Sequence, residues 1–184
     1  MKSALSLLLC ASAVTALPDL PSSSQIQYPS VDGSTFSNVD TVITTHIDLD
    51  IYVNFGYDML QGNNTLSLKC LNQAVFVVLD VQGIDVFNVW DENDNELFFD
   101  VKDPNPALGQ ALIIYFKDTL FKGDTMNITI KYQTNSESLA LNWLTPAQTA
   151  GKRLPYLFTQ CEPAYCRSVA PMQDTPATKI TYTA

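Results

Sequence analysis

The sequence is poor in histidine, and this scarcity excludes several kinds of catalytic site. His46 is the single histidine among 184 residues. A zinc site of the H-E-x-x-H type needs two histidines on one face of a helix. A Ser–His dyad needs a histidine beside a nucleophile elbow, and no such elbow is present. Because His46 falls on the polar face of a predicted strand, we expect a surface residue. The sequence therefore predicts neither a catalytic residue nor a metal site in this chain.

Basic residues and long apolar runs are also scarce. Ten Lys and Arg residues face 19 Asp and Glu, which gives a net charge of −9. Nucleic-acid binding requires clustered basic residues, so nucleic acid is not an expected partner. After residue 16 no segment reaches the roughly 18 uninterrupted apolar residues that cross a bilayer. Membrane attachment is therefore not expected once the N-terminal segment is removed.

The first sixteen residues have the composition of a secretory signal peptide. Lys2 supplies the charged start, residues 4–14 the apolar stretch, and Val14-Thr15-Ala16 the small-residue cleavage pattern. This predicts a protein that is secreted or resides in the secretory-pathway lumen, although a disordered apolar N-terminus is the alternative. Residues 17–38 are rich in Pro and Ser without periodicity, which predicts a leader on the surface. Residues 39–184 then form one domain that is long enough for a core.

Short alternating segments predict the fold. Period-two alternation predicts a strand from Thr41. One face of this strand carries Ile43, Thr45, Ile47, Leu49, Ile51, Val53 and Phe55. Further strands are predicted over 65–70, 75–81, 84–90, 97–101, 111–116, 126–132 and 179–183, with turns at 61–64, 82–83 and 91–95. No credible helix is present. The fold class is therefore all-β, an antiparallel domain that is sandwich-like or saddle-like.

Three kinds of local motif have both a plain and a functional interpretation. The run from Asp91 begins like a calcium loop, but Glu96 replaces the sixth-position Gly, so a solvated hairpin is favoured. Asn63 and Asn127 begin glycosylation sequons, and Asn63 is the better acceptor because it lies in a predicted turn. Removal of Cys10 with the signal leaves Cys70, Cys161 and Cys166, an odd number that excludes a disulfide framework. A bridge between Cys161 and Cys166 is possible, and buried thiols are favoured.

Residues 142–184 carry the most distinctive run. It contains N-W-L-T-P-A-Q-T-A-G-K, P-Y-L-F-T-Q-C, C-R and P-M-Q-D-T-P-A-T-K-I-T-Y-T-A. This run resembles the end of the N-terminal domain of the zinc aminopeptidases (aminopeptidase N and leukotriene A4 hydrolase type), where these motifs recur at this spacing. Weaker motifs in the earlier strands, T-T-H-x-D-L-D and V-L-D, agree with the resemblance.

The resemblance implies an all-β domain whose catalytic partner domain lies outside this sequence. The family's H-E-x-x-H motif and its G-x-M-E-N substrate loop are both missing from the 184 residues. Zinc is accordingly expected in that catalytic domain, and the isolated chain is expected to be inactive. A chain that stops within the last predicted strand would leave a sheet without a neighbour.

The resemblance also implies a binding site at Glu162. In these aminopeptidases the motif Q-x-E-P contributes a glutamate that helps to hold the free α-amino group of a peptide, and Gln160-Cys161-Glu162-Pro163 fits it. Gln160 would orient the substrate and Cys161 would line the pocket. The leukotriene hydrolase branch carries Gln followed by A-I-H at this point, so the departure favours a peptidase over an epoxide hydrolase. A glutamate that binds only its own loop is the structural alternative.

The remaining residues of this run have structural interpretations. Cys161 and Cys166 match cysteines of the cytosolic branch, where they would stay reduced. Tyr156, Phe158 and Tyr165 are expected to pack in the core. Arg167 and Asp174 are expected to pair and pin the segment.

Three functions are compatible with the sequence. The leading hypothesis is the substrate-binding N-terminal domain of a secreted zinc aminopeptidase that recognises peptide N-termini. The first alternative is a stand-alone secreted β-sandwich that binds peptides or proteins without catalysis. The second is a purely structural interaction module.

Overall fold

Alternating strands assemble into three sheets. The computed structural model describes residues 32–184, so the predicted signal peptide and most of the leader lie outside the described residues. In this range the strands are β1 Val42–Asn54, β2 Met59–Cys70, β3 Ala74–Val81, β4 Ile84–Asp91, β5 Phe99–Val101, β6 Gln110–Leu120, β7 Thr125–Thr134, β8 Leu141–Leu144, β9 Tyr156–Thr159 and β10 Thr181–Thr183. Two short 3-10 turns, Pro146–Gln148 and Cys166–Ser168, supply the helical geometry of the described part. None of the helical segments in residues 32–184 is long and apolar enough to cross a bilayer. The all-β prediction is confirmed.

The sheets differ in size and role. The largest has the strand order β10-β1-β2-β7-β4, the second β3-β6-β5, and the third is the hairpin β8-β9. Pairing is antiparallel throughout these ladders except between β1 and β10, which run parallel. The large and middle sheets pack their apolar faces together. Side chains of both sheets meet in one core that includes Ile47, Leu66, Ile128, Leu79 and Ile114.

The middle sheet is apolar on both faces, and this explains why the end of the leader is buried. Val78 and Ile113 point away from the main core and form a second cluster against Phe36. Thr35 and Ser37, beside Phe36, are buried as well. The prediction that the leader lies on the surface through residue 38 is therefore wrong for residues 35–38. Burying the outer face of β3 and β6 requires a cover, and this segment provides it.

A β-bulge changes which side chains of β1 face the core. The pairing of β1 with β2 shifts between Thr44 and His46, so Thr45 is an extra residue. Val42 and Thr44 are buried on one side of the bulge, and Ile47 on the other. The prediction that one unbroken alternation runs from Ile43 to Phe55 is therefore wrong before residue 46, where the inward positions are the even-numbered ones.

The predicted turn at residues 61–64 lies within β2. The chain reverses earlier, at residues 55–58, and Gln61 and Gly62 pair with Tyr52 and Ile51 in the ladder. Glycine is needed there because a Cβ at Gly62 would come within 2.0 Å of the Asp50 carbonyl oxygen. Close approach of two backbones, rather than a turn, accounts for this glycine.

Candidate functional site

The candidate site lies where the chain leaves the β8-β9 hairpin. Leu141 pairs with Thr159 at the base of this hairpin, and the Gln160 amide donates to the Ala140 carbonyl at 2.9 Å. At the far side, the Trp143 ring meets Phe55, which follows β1, edge-on at 5.5 Å between ring centroids. The hairpin is therefore held to the large sheet just before the chain reaches the predicted site residues.

Glu162 is exposed and has no protein partner. No ion pair or hydrogen bond of its carboxylate is present within residues 32–184. The alternative interpretation, a glutamate that binds its own loop, does not describe this geometry. Gln160 is also exposed, Cys161 is half-buried, and the three residues follow one another in the same exposed loop. The peptide bond between Glu162 and Pro163 is cis.

Cys161 and Cys166 form a disulfide. The prediction of two buried, reduced thiols is therefore wrong: both cysteines are half-buried, and the loop brings them together around Glu162. Cys70 is the free cysteine of the described part and is buried in the core.

Two of the aromatic residues expected in the core lie at the surface instead. Tyr156 is 57% exposed and Phe158 is 44% exposed, whereas Tyr165 is half-buried. A two-stranded hairpin has too little area to bury both faces of its side chains, which explains the exposure. The prediction of core packing is wrong for Tyr156 and Phe158.

Arg167 anchors the chain immediately after the disulfide. Its side chain is 1% exposed, and its Nε donates to the Asp174 carboxylate at 3.0 Å, so the predicted pair is confirmed. The guanidinium also donates to the carbonyl oxygens of Leu108 at 2.8 Å and Ser34 at 2.6 Å. These bonds use the fork of donors that only arginine offers.

Asp80 completes this buried group, and the sequence analysis missed it. Its carboxylate lies 3.7 Å from Arg167 Nη1 and accepts from the backbone amides of Phe36 at 2.7 Å and Asp174 at 3.0 Å. Burial raises the pKa of Asp80, while the Arg167 charge and these hydrogen bonds act in the opposite direction. A single aspartate inside the apolar run V-F-V-V-L-D-V was the available sign of a buried charge.

The neighbouring residues of the P-M-Q-D-T-P motif are also anchors. Gln173 is buried and binds β1 just before the bulge, because its side-chain oxygen accepts from the Thr44 backbone amide and its side-chain nitrogen donates to the Val42 carbonyl, both at 2.8 Å. Thr175 donates to the carboxylate of Asp32. Hydrogen bonds from Ser34 and Thr175 lower the pKa of Asp32. The motif thus joins the last segment to the beginning of the domain.

The other residues singled out from the sequence lie away from Glu162. His46 stands on β1, where its ring nitrogens meet the hydroxyls of Thr181 at 2.7 Å and Thr183 at 3.2 Å. The Asp91 carboxylate accepts from the Asn93 and Asn95 amides, which agrees with a hairpin turn.

The two sequons differ from their predicted settings. Asn63 lies inside β2 between β1 and β7 and is half-buried, so its placement in a turn is wrong. Asn127 lies near the start of β7, as predicted, and is exposed. Asn127 is therefore the more accessible acceptor.

A cleft near the hairpin is a feature that the sequence did not reveal. It has a volume of about 480 Å³, and it opens between the β1–β2 turn, the loop after β7 and β8. Tyr57, Asp58 and Trp143 are among its lining residues, whereas Gln160, Cys161 and Glu162 are not. The site predicted from the sequence is thus an exposed loop outside this cleft.

Comparison with known proteins gives a consistent family. The profile of the peptidase M1 N-terminal domain matches residues 43–184. Leucine aminopeptidase 2 of Sclerotinia sclerotiorum is 32% identical over 153 residues, 82% of this chain and 25% of the relative. The protein of the same name from Phaeosphaeria nodorum is 35% identical over 152 residues, 82% of this chain and 24% of the relative. The chain therefore spans about a quarter of the length of these relatives.

Solved structures agree with the sequence matches. Yeast LTA4 hydrolase in complex with bestatin superposes with a TM-score of 0.76 at 31% identity, over 85% of this chain and 24% of that one. An M1 zinc metallopeptidase from Deinococcus radiodurans gives a TM-score of 0.60 at 21% identity, over 77% of this chain and 31% of that one. The second likeness concerns the fold alone.

The buried anchor generates a prediction about stability. Arg167→Met keeps most of the side-chain volume but leaves Asp80 and Asp174 without their cation, so we expect a loss of about 3–5 kcal/mol in unfolding free energy. Urea denaturation followed by circular dichroism measures it. The control, Asp100→Asn, breaks the more exposed pair with Lys102 and should cost at most about 1 kcal/mol. A loss no larger than the control's would contradict the anchoring role.

Proposed function

This chain belongs to the family of peptidase M1 N-terminal domains, and from that premise we propose that it is the substrate-binding N-terminal domain of a zinc-dependent aminopeptidase. Its role is to hold the free α-amino group of a peptide with the carboxylate of Glu162. The observation that carries the proposal is that Glu162 is exposed and unpaired between two anchored segments, with Gln160 and Cys161 beside it.

The chemistry of amine recognition explains a preference for peptide ends. The α-ammonium of a peptide is a cation, and a charge-assisted hydrogen bond to a carboxylate contributes roughly 1.5–3 kcal/mol. An internal peptide nitrogen carries no charge and gains nothing comparable from Glu162. A glutamate at this position therefore favours exopeptidase substrates. In the proposed protein Gln160 orients the bound amine, and Cys161 holds the loop beside Glu162 through its disulfide.

The Deinococcus radiodurans protein is an M1 zinc metallopeptidase. The described residues of this chain do not form a site that fits zinc. No group of three or more His, Cys, Asp or Glu residues that could hold a metal occurs within residues 32–184. The single histidine of the chain is bonded to threonine hydroxyls. We therefore assign zinc and bond cleavage to a catalytic domain of a longer protein, and we assign this chain the grip on the substrate.

Secretion is part of the proposal. The N-terminal residues have the composition of a signal peptide. The Cys161–Cys166 bridge supports the same compartment, because disulfides persist in oxidising environments. The alternative function, a secreted binding module without catalysis, would use the same exposed loop, and the activity measurements below distinguish the two.

Glu162→Gln tests the amine grip in a restored enzyme. With this chain joined to the catalytic portion of a fungal leucine aminopeptidase 2, we expect kcat/KM for a leucyl-coumarin substrate to fall about 10–100-fold, from the loss of one charge-assisted bond. Glu137 is an exposed glutamate without an ion pair, and Glu137→Gln should change kcat/KM by no more than about twofold. Equal effects of the two substitutions would remove Glu162 from the binding site.

The division of labour predicts that the 184-residue chain alone releases no fluorophore from aminoacyl-coumarin substrates. This result is expected with and without added zinc, because the described residues contain no cluster of metal ligands. The restored enzyme serves as the positive control. Turnover by the isolated chain above that of buffer would refute the proposal.

Passage through the secretory pathway predicts glycosylation at Asn127. In a secreting eukaryotic host, Asn127→Gln should abolish the mass shift that an N-glycan-removing amidase produces, because Asn127 is the exposed acceptor. Asn63→Gln should leave the shift intact, since Asn63 is half-buried within β2. An unmodified secreted chain, or a glycan that depends on Asn63, would contradict this prediction.

A further inference from the structure

The disulfide closes a small ring around the proposed amine acceptor. Cys161 and Cys166 are five residues apart in sequence, and Glu162 lies inside the loop that they join. Within the ring, the Tyr165 amide donates to the Cys161 carbonyl at 2.6 Å. Two links therefore close the same short segment: the covalent disulfide and the Tyr165–Cys161 hydrogen bond.

Both ends of the ring are fixed to the body of the domain. At the entry, the Gln160 amide bonds to the Ala140 carbonyl at 2.9 Å. At the exit, Arg167 is fully buried and bonded to Asp174. Movement of the loop between these two points is limited by its own internal bonds.

Packing contributes little to holding the loop itself. Glu162 and Pro163 are exposed, and Ala164 and Tyr165 are only half-buried. An exposed loop with few buried contacts opens easily unless it is cross-linked. The bridge is therefore the strongest constraint on where the Glu162 carboxylate stands.

We propose that the Cys161–Cys166 disulfide is a positioning element for Glu162, and that reducing it lowers the affinity of the domain for α-amino groups. The inference rests on the proposed function of Glu162 and adds a redox dependence to that site. In an oxidising compartment the loop is closed and holds the Glu162 backbone in one arrangement. In the reduced protein the same loop samples many arrangements, and ordering it on binding costs affinity.

The reductant is a dithiol. One thiolate of the dithiol attacks a cysteine sulfur, the protein S–S bond breaks, and a mixed disulfide forms. The second thiol of the reagent then displaces the other sulfur. Two electrons and two protons pass to Cys161 and Cys166, and the reagent leaves as a cyclic disulfide.

The size of the effect is bounded by loop-closure entropy. For a ring of residues 161–166, the entropy that a cross-link removes corresponds to a factor of about 40 in the population of the closed loop. The Tyr165–Cys161 hydrogen bond and the two anchors already restrict the reduced loop. We therefore expect amine affinity to fall about 5–40-fold on reduction.

Nuclear magnetic resonance on the 184-residue chain tests the proposal. The oxidised chain, the dithiol-reduced chain and the Cys161→Ser/Cys166→Ser variant are each titrated with leucinamide, while the Glu162 side-chain carboxyl carbon is observed. N-acetylleucinamide, which lacks the charged amine, is the matched control ligand. We expect the tightest leucinamide binding in the oxidised chain and similar, weaker binding in the other two forms, with unchanged core amides of β3 and β6. Hydrogen exchange of the Tyr165 amide should accelerate at least about tenfold in the two forms without a bridge.

The outcomes separate this inference from the proposed function. Equal leucinamide affinity in all three forms, or unchanged exchange of the Tyr165 amide, overturns the positioning role and leaves the amine grip of Glu162 in place. If leucinamide does not shift the Glu162 carboxyl even in the oxidised chain, the proposed function fails and the inference fails with it. If the serine variant does not fold and its core spectrum is lost, the comparison of the oxidised and reduced chains, which share the native sequence, still decides the outcome.

Discussion

The buried guanidinium of Arg167 is the interaction on which the arrangement of the domain depends. It bonds to Asp174, to the carbonyl oxygens of Ser34 and Leu108, and lies 3.7 Å from Asp80. These partners belong to the segment before β1, the loop before β6, the end of β3 and the final segment. A buried cation must keep its partners, so the four segments are held in one relative position. Such a group fixes geometry more than it adds net stability, because desolvation offsets much of the attraction.

This anchor explains how an exposed loop can hold a defined site. The chain enters the loop from a hairpin that contacts the large sheet and leaves it at the fully buried Arg167. Binding residues commonly lie on loops that a rigid scaffold positions. Here the β8-β9 hairpin precedes the loop and the Arg167 anchor follows it. The disulfide connects the two ends of the loop. The exit of the loop at Arg167 is buried, whereas β9 at its entry is largely exposed, so the Glu162 carboxylate lies at the surface of the domain.

The strands were predictable from local pattern, and the errors arose where distant contacts decide. β3, β6 and β7 have strong β-branched and aromatic content, and propensity and packing agree there. Gly62 suggested a turn. It lies instead within β2, where the β1 backbone passes too close to leave room for a side chain. Just before the bulge at Thr45, β1 is bound by Gln173, about 130 residues away in sequence, so no local window contains this contact. Burial of residues 35–38 depends on the outer face of the middle sheet, which exists only after the sheets form.

The resemblance to the aminopeptidases supports a function only where a residue of the run 142–184 is not already explained by a role in the fold. The run that most resembles the aminopeptidases contains Arg167, Gln173 and Asp174. The polar side chains of all three make bonds that hold the fold together. Selection for structure alone is sufficient to explain them, so they say little about chemistry. Glu162 differs, because its carboxylate makes no hydrogen bond or ion pair within residues 32–184. An exposed carboxylate in a cross-linked loop gains nothing for stability from its position. In the proposed function its partner is the ammonium group of a peptide, which an accessible carboxylate binds through charge-assisted hydrogen bonds.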